Sequence, residues 1–154
     1  MPPERLELEI TEDVLLVNTG RTLTTLEQLK SLGIRLAMDD FGTGYSSLGY
    51  LRKFRFDKLK IDRSFVTNID QDKDAITIVR AIVGMGKALG MTINAEGVET
   101  EREAETLMRE GCDEVQGFLY SRPVPGNDID ELIAAEKNIV RLAPCKMSAL
   151  RLVN

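Results

Sequence analysis

The 154-residue chain predicts an α/β fold in which a parallel sheet is covered by helices, and three observations predict it. Short apolar or alternating runs recur between longer patterns of helical period, glycines close the helical patterns, and charged residues gather at the ends of the short runs. Strands that alternate with helices pair in parallel, because a parallel neighbour is reached only through a crossover. Folds of this class, open sheets and (β/α)8 barrels alike, place their chemistry at the carboxyl ends of the strands.

The first strand is Leu6-Glu7-Leu8-Glu9-Ile10-Thr11-Glu12, which alternates apolar and polar residues with period two. In a barrel the inward positions near a strand end are polar and functional, so Glu7, Glu9 and Thr11 need not face bulk water. Leu23, Leu26, Leu29 and Leu32 follow at helical spacing, with Gly33 as the stop. Ile34, Leu36, Ala37 and Met38 make a second strand that ends in Asp39 and Asp40. The next residues, Phe41 to Ser47, are rich in glycine and hydroxyls, a composition that frees the backbone and offers N–H and O–H donors to an anion.

A helical stretch leads to a third strand, Lys58 to Asp62, where Lys60 and Asp62 share one face and Leu59 and Ile61 the other. Asp74 to Leu89 is a helix with Ile76, Ile78, Val79, Ile82, Val83 and Met85 on its apolar face, ended by Gly90. Met91 to Ala95 is a fourth strand that runs into Glu96-Gly97-Val98-Glu99. Thr100 to Glu110 is a charged helix with Ala104, Leu107 and Met108 inward and Gly111 as its stop, and Val115 to Tyr120 is a fifth strand closed by Pro123 and Pro125. A final helix, Asp128 to Leu142, takes Asp128 or Asn127 as cap, and residues 143–154 form a tail.

Composition narrows the function. One ordinary domain fits this length. With 20 basic against 25 acidic residues there is no electrostatic footprint for a nucleic-acid polymer or an anionic membrane. No histidine is present, which removes the commonest general base and transition-metal ligand, so a metal site here is oxygen-lined: Mg²⁺ or Mn²⁺, with Ca²⁺ as a further option. Cys112 and Cys145 form no CxxC pair, which leaves zinc and redox motifs unsupported and reads as reduced thiols. No apolar run reaches the roughly 18 residues of a membrane span and the start lacks the features of a signal peptide, so the expected location is cytoplasmic.

Four or five carboxylates at one rim repel one another unless cations hold them. A two-metal centre resolves this, with Asp39 bridging, Glu9 on one side and Asp40 and Glu96 on the other, suited to in-line displacement at a phosphate ester. Lys60 then orients or activates the attacking water and offsets phosphoryl charge. Each residue also has a plainer reading. Asp39-Asp40 can be a solvated turn, Lys60 with Asp62 a surface pair, Glu96 or Glu99 the cap of the next helix, Gln116 a structural hydrogen-bonder, and Gly42 and Gly44 a simple turn. Their coincidence at the same end of successive strands favours the site.

The segments LEITE (Leu8 to Glu12), DDFGTGYSSL (Asp39 to Leu48), KLKIDRSFV (Lys58 to Val66), NAEGVET (Asn94 to Thr100) and CDEVQGFLYSRPVP (Cys112 to Pro125) together resemble the EAL domain family, the cyclic di-GMP phosphodiesterases. The resemblance runs from about Pro3 to Ile133. It implies a TIM-like (β/α)8 barrel that uses two Mg²⁺ or Mn²⁺ ions to hydrolyse cyclic di-GMP to linear pGpG. By motif it makes Glu9, Asp39, Asp40 and Glu96 metal ligands, and Lys60 and Glu96 the catalytic pair, with Lys60 the candidate base that positions water. It gives supporting or substrate-binding roles to Glu12, Gly42, Thr43, Ser46, Asp62, Glu99 and Gln116, and it associates the loop after Asp40 with metal binding and dimerisation.

The family's Glu-Ala-Leu glutamate and an asparagine ligand that follows it have no counterpart in this sequence. What matches is the last five of eight strands, so the expectation is an incomplete barrel over residues 1–142, weak or inactive alone. The alternative expectation is a non-catalytic module that pairs with itself, or with an EAL partner, through open strand edges.

Overall fold

A computed structural model describes residues 2–16, 19–43 and 48–131. Five parallel strands, β1 (Glu7–Thr11), β2 (Arg35–Phe41), β3 (Lys58–Ile61), β4 (Thr92–Ala95) and β5 (Glu114–Val115), lie side by side in chain order. Between them run α1 (Glu12–Leu16), α2 (Thr19–Ser31), α3 (Leu48–Lys53), α4 (Lys73–Ala88) and α5 (Glu101–Glu110). Strict chain order with parallel pairing is the order of consecutive strands in a barrel wall, and the expectation of an incomplete barrel of about five strands holds for the described residues.

Period two divides the sheet into two faces. Leu36, Met38, Leu59, Ile61 and Ile93 are fully buried on the face toward the helices, against Val79, Val83 and Leu107. Residues between them, Glu9, Asp39, Lys58, Lys60, Asn94 and Glu114, belong to the opposite face. Burial of this apolar sheet face is the main stabilising term, at roughly 25 cal/mol per Å² of apolar surface.

The helix signals are local and visible. Asp72 caps α4, its Oδ1 accepting from the N–H groups of Asp74 and Ala75 at 2.9 and 3.1 Å. Thr100 and Glu103 form a reciprocal capping box at the start of α5, and Gly111 closes that helix with φ +98°. Two apolar residues expected inward are not: Ile78 and Met108 are 42% and 40% exposed. Both sit at the margin of their helix's apolar stripe, where helical spacing alone does not decide the side. The helix α1, directly after β1, carries no sequence signal strong enough to predict it.

The fifth strand is shorter than the run Val115 to Tyr120 suggests, ending at Val115. Gly117 explains why. A Cβ there would stand 2.1 Å from the carbonyl oxygen of Val98, so the two backbones touch, and the chain turns away as the N–H of Leu119 donates to that same oxygen at 3.0 Å.

Two units of the sheet repeat a device at the amino ends of the strands. Lys30 on α2 pairs with Asp57, which accepts from the N–H of Leu36 at 2.9 Å. Lys87 on α4 pairs with Asp113, which accepts from the N–H of Ile93 at 2.8 Å. Gly33 and Gly90, at φ +89° and +75°, stand three residues after each lysine. Each aspartate thus ties a helix end, its own strand and the preceding strand. Among the described residues no helix is long and apolar enough to cross a membrane. The predicted final helix beyond Glu131 and the tail lie outside the described residues.

Candidate metal centre

Lys60 is the hub of the polar face. It is 3% exposed, and its Nζ lies 2.7 Å from Glu9 Oε1, 2.9 Å from Asp39 Oδ1 and 2.7 Å from Glu96 Oε1. Three carboxylates thus surround one ammonium at ion-pair distance. The partners come from β1, from β2 and from the residue after β4, so one side chain gathers the ends of three strands. Burial alone would pull the Lys60 ammonium down, but the hydrogen bonds to Glu9, Glu96 and Asp39 outweigh it and hold the group well above the ordinary lysine range. A surface pair with Asp62 is excluded by this burial.

The placement of Asp39 beside Asp40 requires a break in the strand. In a regular strand successive side chains point to opposite faces. The register of β2 against β3 shifts between Met38 and Phe41, a bulge, and Asp40 adopts a left-handed φ of +52°. The bulge turns Asp40 back toward the site, and ligand oxygens of Asp39, Asp40 and Glu96 all lie within 4.8 Å of one another. A non-glycine residue held at positive φ is strained, and such strain concentrates at functional positions. Thr43 stabilises the turn after it, its Oγ1 donating to the Asp40 carbonyl at 2.9 Å.

Charge is unbalanced at this rim. Burial raises the Asp40 carboxyl first, and the charges of Asp39, Asp62 and Glu9 add to the rise against Lys60. Glu96 is likewise raised, by burial and by Asp39 and Glu9, although Lys60 is bound to it. One ammonium does not neutralise four carboxylates. The donor set is all oxygen, compact and partly buried, which fits a hard divalent cation and not a soft one. Lys60 itself stands in for positive charge among the same carboxylates, so the residues present fit the metal implied for them.

The supporting residues fall into two groups. Glu12, at the start of α1, is buried at 4% exposure. Gln116 continues β5, its N–H donating to Ala95 O at 2.8 Å and its carbonyl accepting from Val98 N–H at 3.0 Å, while its side chain is exposed beside the rim. Gly42 packs so closely under Phe65 that a Cβ would come within 2.9 Å of the ring. Asp62 corrects the sequence reading: β3 ends at Ile61, and Asp62 caps the following 3-10 turn, its Oδ1 accepting from Ser64 N–H at 2.9 Å. Glu99 is exposed, with its N–H donated to Glu103, so the cap of α5 is Thr100 and neither Glu96 nor Glu99. Ser46 lies outside the described residues.

Sequence reasoning missed a second polar layer directly beneath the rim. Lys58, 5% exposed, pairs with Glu7 at 2.8 Å and Glu114 at 2.9 Å. These residues come from β1, β3 and β5, and layers built from alternate strands are the interior pattern of a (β/α)8 barrel. The alternation of β1 leaves Glu7 free to face inward; Lys58 carries no signal beyond its place on the Lys60 face.

The sequence matches the EAL domain over residues 1–123. The chain belongs to the EAL domain family. The cyclic di-GMP phosphodiesterase NbdA of Pseudomonas aeruginosa is 46% identical over 130 residues, which are 84% of this chain and 17% of NbdA. The solved EAL domain of Mycobacterium smegmatis DcpA superposes with a TM-score of 0.82 at 46% identity, covering 88% of this chain and 60% of that one. Klebsiella pneumoniae BlrP1, solved with manganese and cyclic di-GMP and also with calcium and cyclic di-GMP, superposes with a TM-score of 0.75 at 38% identity, covering 80% of this chain and 31% of that one. The EAL chain described here therefore spans about a sixth of the curated relative's length. Its fold is that of the EAL barrel wall.

Proposed function

We propose that this EAL chain contributes the site of a divalent-metal-dependent phosphodiesterase that hydrolyses cyclic di-GMP to linear pGpG. The observation that carries the reading is the compact set of Asp39, Asp40 and Glu96 oxygens around the buried Lys60. NbdA is a cyclic di-GMP phosphodiesterase and BlrP1 is solved with manganese and cyclic di-GMP, which supports the substrate and the class of metal. Asp39, Asp40 and Glu96 hold the cation, with Glu9 adjoining, and Mg²⁺ or Mn²⁺ are the ions assigned to them. A bound cation of this kind supplies charge stabilisation at the phosphoryl oxygens and lowers the pKa of water.

The chain's own residues do the rest. Lys60, charged as its partners hold it, has no lone pair with which to take a proton. Its role here is therefore to position the water oxygen and to offset charge on the phosphoryl oxygens, and the base role implied by resemblance passes to the carboxylates beside it. Water's oxygen bonds to phosphorus as one phosphorus–ribose oxygen bond breaks and opens the ring; the water proton passes to the carboxylate rim, and the departing ribose oxygen takes up a proton from that rim or from solvent. Gln116, Gly42, Thr43 and Ser46 are assigned to the substrate side, with Glu12 and Glu99 as supporting carboxylates.

A second reading rests on the sheet edges. Among the described residues β1 pairs only with β2 and β5 only with β4, and an unpaired edge is a template for another strand. On this reading the chain has weak activity or none alone and pairs with a second copy or an EAL partner. Incubation with cyclic di-GMP and Mn²⁺ tests both. We expect slow pGpG formation that requires Mn²⁺ and falls by a factor of about 10² or more in Asp39→Asn. A Mn²⁺-induced rise in melting temperature, absent in Asp39→Asn and Asp40→Asn, reports the cation site even where turnover is too slow to see. No thermal shift, together with a monomer in sedimentation, overturns both readings.

A further inference from the structure

Asn94 is 1% exposed, and among the described residues neither its Oδ1 nor its Nδ2 has a hydrogen-bond partner. Two orphaned polar atoms on one buried side chain are rare, because an unpaired buried group keeps its desolvation penalty. Asn94 lies in β4 in register with Lys60 of β3 on one side and Glu114 of β5 on the other, each one strand spacing away, about 4.8 Å. It precedes Glu96 by two residues and so shares its face. The amide thus sits between the Lys60 cluster at the rim and the Lys58 layer below.

In this arrangement the Lys60 ammonium stands within ion-pair distance of three carboxylates, one of them Glu96. A cation held by Asp39, Asp40 and Glu96 competes with Lys60 for those same oxygens. Whatever it displaces needs a new partner in a buried place, and the neighbour with both a free acceptor and a free donor is Asn94. Its counterpart in the equivalent β2 unit, two residues before Asp39, is Ala37, which has nothing to offer. The asymmetry puts the amide on the one strand that borders both Lys60 and Glu96.

We infer that Asn94 is a positioning residue for the metal centre: its amide is unsatisfied while Lys60 binds the carboxylates and becomes satisfied, by Lys60, Glu96 or a water between them, once a cation takes those carboxylates. The residue therefore destabilises the cation-free protein and favours the loaded one. This rests on the cation site proposed above, and its test separates the two.

The test is thermal melting of the full chain across a Mn²⁺ titration, in wild type, Asn94→Leu and Asn94→Ala. Leucine keeps the volume and deletes both polar atoms; alanine removes the amide in case leucine misfits. The expected result has opposite signs in its two readouts. Without metal Asn94→Leu melts at or above wild type, while the Mn²⁺ concentration at half the thermal shift rises at least about fivefold, the lower end of ordinary coupling between sites. Wild-type Mn²⁺ response retained in full by both variants overturns the Asn94 inference and leaves the cation site standing. Variants that lose stability equally with and without Mn²⁺ show a merely structural residue and also overturn it. Absence of any wild-type response overturns the cation site and this inference together.

Discussion

Lys60 is the residue on which the site turns, because it is at once a ligand-sized charge and a strand connector. Replacing it with methionine fills the same space but leaves four carboxylates without their counter-charge. Breaking a buried ion pair costs about 3–5 kcal/mol, and the loss here falls below that range because Glu9 is 45% exposed and water screens it. Lys60→Met is therefore expected to melt below wild type without metal and to gain more than wild type from saturating Mn²⁺, since the cation becomes the sole positive charge among the carboxylates. Differential scanning fluorimetry with and without Mn²⁺ reads both, and a variant that melts like wild type in each condition contradicts the hub role. At this scale Asp39 and Glu96 were legible as charged residues at the end of an apolar run, and Lys60 as a charged residue in an alternating strand. Asp40 was legible only as a neighbour of Asp39. Period two sends adjacent residues to opposite faces, and only the bulge with its positive φ brings both carboxylates to one site. Asn94 left no trace, since its lack of a partner is a fact of packing.

Elements were legible where their signals are local. The caps Thr100 and Asp72 and the glycine stops lie within a turn of the helix they bound, so sequence spacing reveals them. The paired lysine-to-aspartate ties were not legible, because each links residues 20 or more positions apart. Glu103 shows how much one element can depend on a single carboxylate. Its oxygens accept from the N–H groups of Asn68 at 3.0 Å, Glu99 at 2.9 Å and Thr100 at 2.9 Å, tying the start of α5 to the loop before α4. Burial alone would raise this carboxyl, but those three N–H donors outweigh it and hold it below the ordinary glutamate value of 4.5. A carboxyl depressed in the folded state stabilises above its unfolded value, and that stabilisation is lost as pH falls through 4.5 toward the lower folded value. Urea midpoints measured from pH 6 to pH 3 are expected to fall with a component that Glu103→Gln removes. Glu103→Gln also loses about 1 kcal/mol at pH 7 through the weakened cap. An acid limb of equal steepness in both proteins contradicts the assignment.

At the scale of the whole sheet, two buried lysines do what no single strand pair can. Lys58 on β3 reaches over β2 to Glu7 on β1 and over β4 to Glu114 on β5, as Lys60 reaches Glu9, Asp39 and Glu96 one layer above. Ala37, the register partner of Lys58 on β2, is fully buried and small enough to leave that path open. One lysine of β3 that meets glutamates of both β1 and β5 is the contact expected of an inward-curved sheet, the curvature a barrel wall needs. Burial alone would lower the Lys58 ammonium, yet the bonds to Glu7 and Glu114 raise it, so Lys58 is charged at neutral pH. A buried triad of this kind specifies geometry more than it stabilises, because desolvation offsets most of the attraction. Lys58→Met alone leaves Glu7 and Glu114 without their counter-charge and is expected to cost about 3 kcal/mol, whereas Glu7→Gln, Lys58→Met and Glu114→Gln combined recover most of that loss. If curvature is the function of the layer, the triple variant regains stability but not its full Mn²⁺ response, because the strands that carry Glu9, Lys60 and Glu96 are no longer drawn together. Urea denaturation and Mn²⁺ titration of the three proteins decide the matter: a triple variant that regains stability and binds Mn²⁺ like wild type reduces the layer to ordinary core, and one that regains neither shows that the ion triad stabilises the fold outright.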